Sequence, residues 1–462
     1  MVFSSISFLF YFLPVVLLCY FLASRKAKNF VLLVASLFFY FYGEPKYILV
    51  FLASIGLNYF FGRKIEDSKQ HKKLYLIIDL ILNFGMLFYF KYFNFSITIL
   101  NDIFGTDFSL WNIVMPIGIS FFTFQATSYT IDIYRGKVSS APNIWTFATY
   151  LSLFPQLIAG PIVRYETVAD ELEHRKETSR EIANGIRRFI IGLAKKVLLA
   201  NVLGTLASTL GGLEEISLAS SWVHALALTL QLYFDFSGYS DMAIGMGLMF
   251  GFHFLENFNY PLIANSLTDF WRRWHISLSS WLKDYIYIPL GGSRVPFWKY
   301  CRNILLTWLA TGLWHGANWN FVLWGLFFAV FLIIEKVWLL KVFKKHSILA
   351  HCYTIFFILI SFVIFSFDDL SSMGSMLQNM FSISNPIITR EALYYVRDYF
   401  VVILIALFAA TPIAKNWMAK VRKSSIWKRL SFLEVVFYFG LFFLCVAFLV
   451  DESFNPFLYF RF

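Results

Sequence analysis

The chain has 462 residues, of which 59% are apolar, 21% aromatic and only 15% charged. Soluble proteins carry roughly 45–50% apolar and about 25% charged residues, so this balance excludes a water-soluble globule, and it excludes a disordered chain for the opposite reason. The net charge of +11 lies in short basic runs between apolar segments, not on one face of a soluble domain, which argues against a nucleic-acid binder. Four cysteines, at 19, 301, 352 and 445, form no C-x-x-C pair, so neither a zinc ribbon nor a disulfide scaffold is indicated. The composition is that of a polytopic membrane protein.

A spanning helix needs about 20 mostly apolar residues, because the hydrocarbon core is about 30 Å thick. In chain order, charge-free runs near that length occur at Phe3–Leu22, Ile113–Ile131, Val138–Val163, Ile216–Phe234, Asn303–Ile334 and Ser347–Phe367. Shorter runs at Tyr47–Gly62, Tyr399–Ala414 and Val435–Val450 can span with their flanks. Phe30–Gly43 is short, and Leu74–Phe90 carries Asp79. The first run has no basic segment before it and no A-x-A site after it, so it reads as a span and not a cleaved signal. The expected fold is therefore all-α, with about ten or eleven transmembrane helices plus re-entrant and interfacial pieces.

Basic residues in the loops set the orientation. Residues 24–29, 62–73, 132–140, 335–346 and 415–429 together hold twenty Lys and Arg, whereas 43–46, 91–112, 368–398 and 451–462 hold five. The rich and poor loops alternate through residue 140 and again from 335, which places both termini outside the cytoplasm. Alternation fails between 141 and 334. There, 164–188 is charge-dense, Lys195-Lys196 interrupts an apolar run, and 256–302 is too rich in Trp, Arg and Asn for a plain span. Irregular or charged backbone at membrane depth is tolerated only against protein or a watery cavity. The chain accordingly divides into N-terminal helices at 1–112, a functional core at 113–340, and C-terminal helices with an aromatic tail at 341–462.

Two segments of that core carry candidate chemistry. Asp269–Tyr287 reads DFWRRWHISLSSWLKDYIY. Trp271, Trp274, Leu278, Trp281 and Tyr285 recur at helical spacing on one face, with Arg272, His275, Ser279 and Lys283 on another, a pattern suited to a helix lying in the membrane interface. His275 there either anchors at headgroups or serves a site. Thr311–Trp319, TGLWHGANW, places His315 inside the charge-free run Asn303–Ile334, where ionisable groups are costly and usually face a cavity. Gly312 and Gly316 leave room for a ligand or a second backbone. Imidazole suits proton transfer near neutrality, but a buried histidine also serves structure, and the residues alone leave both readings open. Asp235, Asp241 and Glu256 fit either an ion path or partners for Arg272 and Arg273. No G-x-S-x-G elbow, H-E-x-x-H pair, Walker loop or dinucleotide fingerprint occurs, so no metal site is expected.

These motifs, taken together, resemble the membrane-bound O-acyltransferase family, and within it the alginate O-acetyltransferase branch. The pieces that carry the resemblance are PIGISFFTFQ (Pro116–Gln125), IAGPIVR (Ile158–Arg164), YFDFSGYSDMAIG (Tyr233–Gly245), FWRRWHISLSSWLKDYIYIPLGGSR (Phe270–Arg294), GLWHGANWNFVLWG (Gly312–Gly325) and the closing FNPFLYFRF (Phe454–Phe462). The resemblance implies acyl transfer from a thioester to a hydroxyl through a central tunnel across the membrane. The family's histidine falls on His315 and its second motif residue, Asn or His, on His275. It also implies cytoplasmic acetyl-CoA as donor, although no CoA-binding motif stands in the sequence. His315 would act as general base. His275 or the Asn318 amide would donate to the oxyanion, and Arg272 and Arg273, flanked by Trp271 and Trp274, would hold the donor. By the same resemblance Tyr459 is a candidate acyl relay to an extracytoplasmic SGNH-type transferase. The expected protein is a bacterial inner-membrane O-acetyltransferase embedded among membrane lipids and serving a polysaccharide, with no nucleic-acid partner. A teichoic acid D-alanyl transferase, fed by an acyl carrier protein, is the nearest alternative. A proton-coupled transporter would require inverted repeats, which the sequence lacks, and an export scaffold leaves His315 without a role.

Overall fold

A computed structural model describes residues 2–158, 160–424 and 432–451, and the described residues are helical with no strand among them. Five helical stretches there are long and apolar enough to cross a membrane: Pro45–Asp67, Lys72–Phe104, Ser179–Gly211, Ser347–Ser366 and Phe432–Asp451. A sixth span results if Arg390–Asp398 and Phe400–Ala409, bent by 56°, count as one, and Phe8–Leu22 and Lys28–Gly43 are shorter apolar helices. The all-helical polytopic reading holds, but several of the apolar runs are divided. Ile113–Ile131 becomes helical only at Ile119, after Pro116 and the left-handed Gly118 (φ 78°). Val138–Val163 breaks at Leu153, before Pro155. Asn303–Ile334 breaks after His315.

The chain forms two compact units, Met1–Phe189 with Ser240–Leu255, and Ile190–Tyr239 with Glu256–Phe462. The first contains α1 (Leu13–Leu22), α2 (Lys28–Gly43), α3 (Ile48–Asp67), α4 (Lys72–Leu87), α5 (Phe93–Phe104), α6 (Ile119–Tyr134), α7 (Ile144–Ser152), α8 (Phe154–Leu157), α9 (Tyr165–His174) and most of α10 (Ser179–Ala194). Every residue of α6 from Ile119 to Thr130 is buried, so this helix is the axis of the unit. Its polar face explains how Asp79 is accommodated. The Asp79 carboxylate accepts from Thr130 Oγ1 (2.7 Å) and Asn83 Nδ2 (3.1 Å), and Asn83 exchanges amide bonds with Asn58 (3.0 and 3.1 Å). Buried polar groups are tolerated when so satisfied.

The charge-dense segment 164–188 is pinned to the same unit. Arg175 donates from Nε to the Tyr20 hydroxyl and the Phe250 carbonyl (3.0 Å each), and from a terminal nitrogen to Asn29 Oδ1 (2.7 Å). Lys28 pairs with Glu177 at 2.9 Å, and Tyr20 also donates to that carboxylate. Nearby, His253 presents Nδ1 to Glu171 (2.6 Å) and Nε2 to Glu181 (3.1 Å). The Glu171 carboxylate, aided by Glu181, raises the His253 pKa above the ordinary imidazole value. A raised value in the folded state gives stability that is fully present below the unfolded pKa and lost as pH rises through the folded one. Because the ring is more than half exposed, solvent keeps the effect small. We expect His253→Gln to melt below wild type at about pH 5.5 and together with it at about pH 9, on either side of the ordinary imidazole value of about 6.5. Paired melting curves across that range check this.

The second unit contains α11 (Val202–Gly211), most of α12 (Leu218–Met249), the short α13 (Leu267–Trp271) and α14 (Ile276–Leu282), then α15 (Phe297–His315), α16 (Trp319–Ile334), α17 (Leu340–Phe343), α18 (Ser347–Ser366), α19 (Leu370–Phe381), α20 (Arg390–Asp398), α21 (Phe400–Ala409), α22 (Ile413–Val421) and α23 (Phe432–Asp451). Lys195-Lys196 opens a wider π-helical turn, Lys195–Asn201, and Lys196 reaches the buried Asp235 of α12 at 2.6 Å. The hairpin of α15 and α16 is packed backbone to backbone. A Cβ on Gly312 would stand 2.2 Å from the Phe321 carbonyl oxygen, and one on Gly325 2.5 Å from that of Trp308. The room left by Gly312 is thus filled by the chain's own next helix.

Candidate active site

Asp269–Tyr287 is not one helix. α13 ends at Trp271, a turn follows, and the chain restarts at Ile276 with His275 as its N-cap in the left-handed region (φ 44°, ψ 54°). For a residue with a Cβ that conformation is uncommon and must be held by its surroundings. Asn257 holds it. Its carbonyl accepts from the Ile276 amide (3.0 Å), and its side-chain oxygen accepts from the Ser277 amide (3.2 Å) and hydroxyl (2.9 Å) and meets His275 Nδ1 at 3.2 Å.

The break changes where the side chains go. Trp271, Trp274, Leu278, Trp281 and Tyr285 are all buried, so the aromatic face packs on protein and not in the membrane interface. Arg272 is exposed. Arg273 pairs with Asp269 (3.0 Å) four residues back. Asp235 is taken by Lys196, and Asp241 by Arg188 at 2.9 Å. His275 leaves the cationic face altogether. It is fully buried, edge-on to Phe236 at 4.6 Å and 5.7 Å from the Trp314 ring.

His315 is the last residue of α15 and retains 5% exposure. Its ring lies 4.9 Å from Trp314, 5.0 Å from Trp324 and 5.1 Å from Phe365, with Phe321 at 6.4 Å. Both candidate histidines therefore pack on one indole, that of Trp314. Trp271 joins the same cluster through Trp324 (5.5 Å), Trp308 (4.6 Å) and Phe328 (5.0 Å). The indole N–H groups of Trp271 and Trp324 are buried and have no hydrogen-bond partner among the described residues. A buried donor left unmade is costly. Trp324 packs on the His315 imidazole and Trp271 on Trp324, so the cluster holds two donors of the kind that can polarise a carbonyl.

Asn318 does not join this set. It is half-buried, its side-chain oxygen caps α16 by accepting from the Trp319 amide (2.6 Å), and its amide donates to the Asp368 carbonyl (2.9 Å). Gly316 makes room for the Phe321 ring, which a Cβ there would meet at 2.1 Å. Tyr459 lies outside the described residues. Trp308, Trp314, Trp324 and Asn257 contact the candidate residues and were not singled out by the sequence. A tryptophan within an apolar run carries no signal that separates a site from a core, whereas Asn318, an N-cap residue just before an apolar stretch, does mark where the run Asn303–Ile334 divides.

A sequence model of the MBOAT, membrane-bound O-acyltransferase family, matches residues 112–377, a span that contains both histidines and the whole aromatic cluster. The chain belongs to the membrane-bound O-acyltransferase family. It is accordingly an O-acyltransferase and a multi-pass membrane protein. Among its relatives, the probable alginate O-acetylase AlgI of Pseudomonas aeruginosa is 44% identical over 390 residues, covering 83% of this chain and 75% of that one. The peptidoglycan O-acetyltransferase of Helicobacter pylori is 38% identical over 421 residues, covering 82% and 80%. The teichoic acid D-alanyltransferase of Bacillus subtilis is 28% identical over 280 residues, covering 55% and 69%. In this acyltransferase, the candidate chemistry centres on His315.

Proposed function

We propose that the protein is an O-acetyltransferase of the bacterial inner membrane, taking acetyl groups from cytoplasmic acetyl-CoA for an extracytoplasmic polysaccharide, with residues 113–340 as its transfer core. The observation that carries this is the placement of His315 among Trp314, Trp324 and Phe365 with two unpartnered indole N–H groups in the same cluster. Greater identity to two O-acetyl-transferring relatives than to the D-alanyl one supports acetyl over D-alanyl.

In this proposal a neutral His315 takes the proton from the acceptor hydroxyl as its oxygen bonds to the thioester carbonyl carbon. The carbonyl oxygen becomes an oxyanion, which the Trp271 and Trp324 N–H groups stabilise. Collapse breaks the carbon–sulfur bond. The CoA sulfur leaves with the electron pair and takes the proton back from His315, so no net proton is consumed. His275, enclosed and tied to Asn257, keeps Trp314 in place. Exposed Arg272 and partly exposed Arg273 meet the donor's phosphates.

The acceptor side includes membrane lipids around the helices and an SGNH-type transferase that passes acetyl to polymer. Tyr459, on a terminus facing away from the cytoplasm, is the relay. Two experiments test this. Purified protein should release CoA from acetyl-CoA, and dependence on an acylated carrier protein instead would move the reading to D-alanyl transfer. In cells, Tyr459→Phe should abolish polymer acetylation while the protein accumulates normally; unchanged acetylation would eliminate the relay.

A further inference from the structure

Glu335 is the first charged residue after the apolar run that holds His315, and its side chain is fully buried. It lies one residue beyond α16 on the face that also carries Trp324, Phe328 and Leu332, at helical steps of three and four. Among the described residues its carboxylate partners are backbone amides and a hydroxyl and not a cation. One oxygen accepts from the Leu267 amide (2.5 Å), the other from the Thr268 amide (2.9 Å) and hydroxyl (2.7 Å). These amides belong to the first turn of α13, where backbone N–H groups lack partners within the helix. The other end of α13 is Trp271, packed on Trp324 and Phe328 of α16.

The five-residue helix α13 is thus fixed to α16 at two points: by a carboxylate at its start and an indole at its end. Five residues make little more than one turn and have scant stability alone. The position of Trp271 and of the arginines after it therefore depends on contacts from outside the helix. We infer that Glu335 is a positioning residue for acyl transfer, holding Trp271 against Trp324, the indole that packs on His315, and Arg272 toward the donor. This rests on the acetyl-transfer reading above. A glutamine at 335 keeps the size of the side chain but replaces one accepting oxygen with an N–H donor, so either Leu267 or Thr268 loses its partner.

The test pairs a structural readout with a kinetic one on full-length protein in detergent, using acetyl-CoA as the probe. For Glu335→Gln, hydrogen exchange at amides 267–273 should accelerate, and the KM for acetyl-CoA should rise about tenfold, the equivalent of one lost charge-assisted bond. Thr268→Val removes only the hydroxyl bond and should shift both readouts the same way by less, which keeps the test open if the first variant folds poorly. Unchanged exchange at 267–273 overturns the anchoring role. Faster exchange with both KM and kcat per folded molecule unaltered overturns the positioning role and leaves Glu335 a purely structural cap, whereas a lower kcat at unaltered KM shows that it positions the Trp271 donor and not Arg272. If instead wild type does not turn over acetyl-CoA, the acetyl-transfer reading has failed, and with it the positioning role, while the exchange arm still decides the anchor.

Discussion

Lys196→Ala is expected to destabilise the fold by about 3–5 kcal/mol, the usual cost of breaking a buried ion pair by removing one member. Lys196 and Asp235 stand 2.6 Å apart with side-chain exposures of 5% and 1%, and Lys196 lies in Ser179–Gly211, a helical stretch apolar enough to cross a membrane. Water cannot take the place of the lost cation at so buried a carboxylate. Removing both charges behaves differently, because the desolvation cost disappears with the pair. Lys196→Met with Asp235→Leu should recover most of the loss. Thermal unfolding of purified protein in detergent checks both. If Lys196→Ala melts with the wild type, the pair is not the strut described here.

The second large effect concerns chemistry and not stability. His315→Ala is expected to lower kcat about 10²- to 10⁴-fold, the usual contribution of a general base. Its imidazole lies against Trp314, Trp324 and Phe365, and the N–H groups of Trp271 and Trp324 remain in the variant. The donor should therefore bind with unchanged affinity, and the KM for acetyl-CoA should move little. His315→Gln, which can hydrogen bond but cannot carry a proton away, should be as inactive as the alanine variant. A glutamine variant with near-normal turnover would show that the ring orients substrate without moving a proton.

Much of this organisation is legible in the residues, and the exceptions have physical causes. The aromatic stripe Trp271–Trp274–Leu278–Trp281–Tyr285 reads from its spacing as an interfacial helix face, but all five residues are buried against protein. The helix carrying it also breaks at His275, because Asn257, 18 residues upstream, supplies the bonds that hold a left-handed backbone there. No local pattern encodes that contact. Asp235 and Asp241 look from the sequence like partners for Arg272 and Arg273, but a tertiary contact brings Lys196 to the first and Arg188 to the second. The division of Asn303–Ile334 was readable from Asn318, whereas hydropathy alone merged the two helices. The family motifs around His315 were readable because they stand contiguous in sequence; the packing of Trp314 and Trp324 on its ring was not.

The central claim is that His315 moves the proton in transfer from acetyl-CoA. The most direct measurement follows CoA release from acetyl-CoA by purified protein, at equal folded concentration, for wild type and His315→Gln. The account predicts release by wild type and its loss in the variant, with donor binding retained. Equal release by both proteins would contradict it.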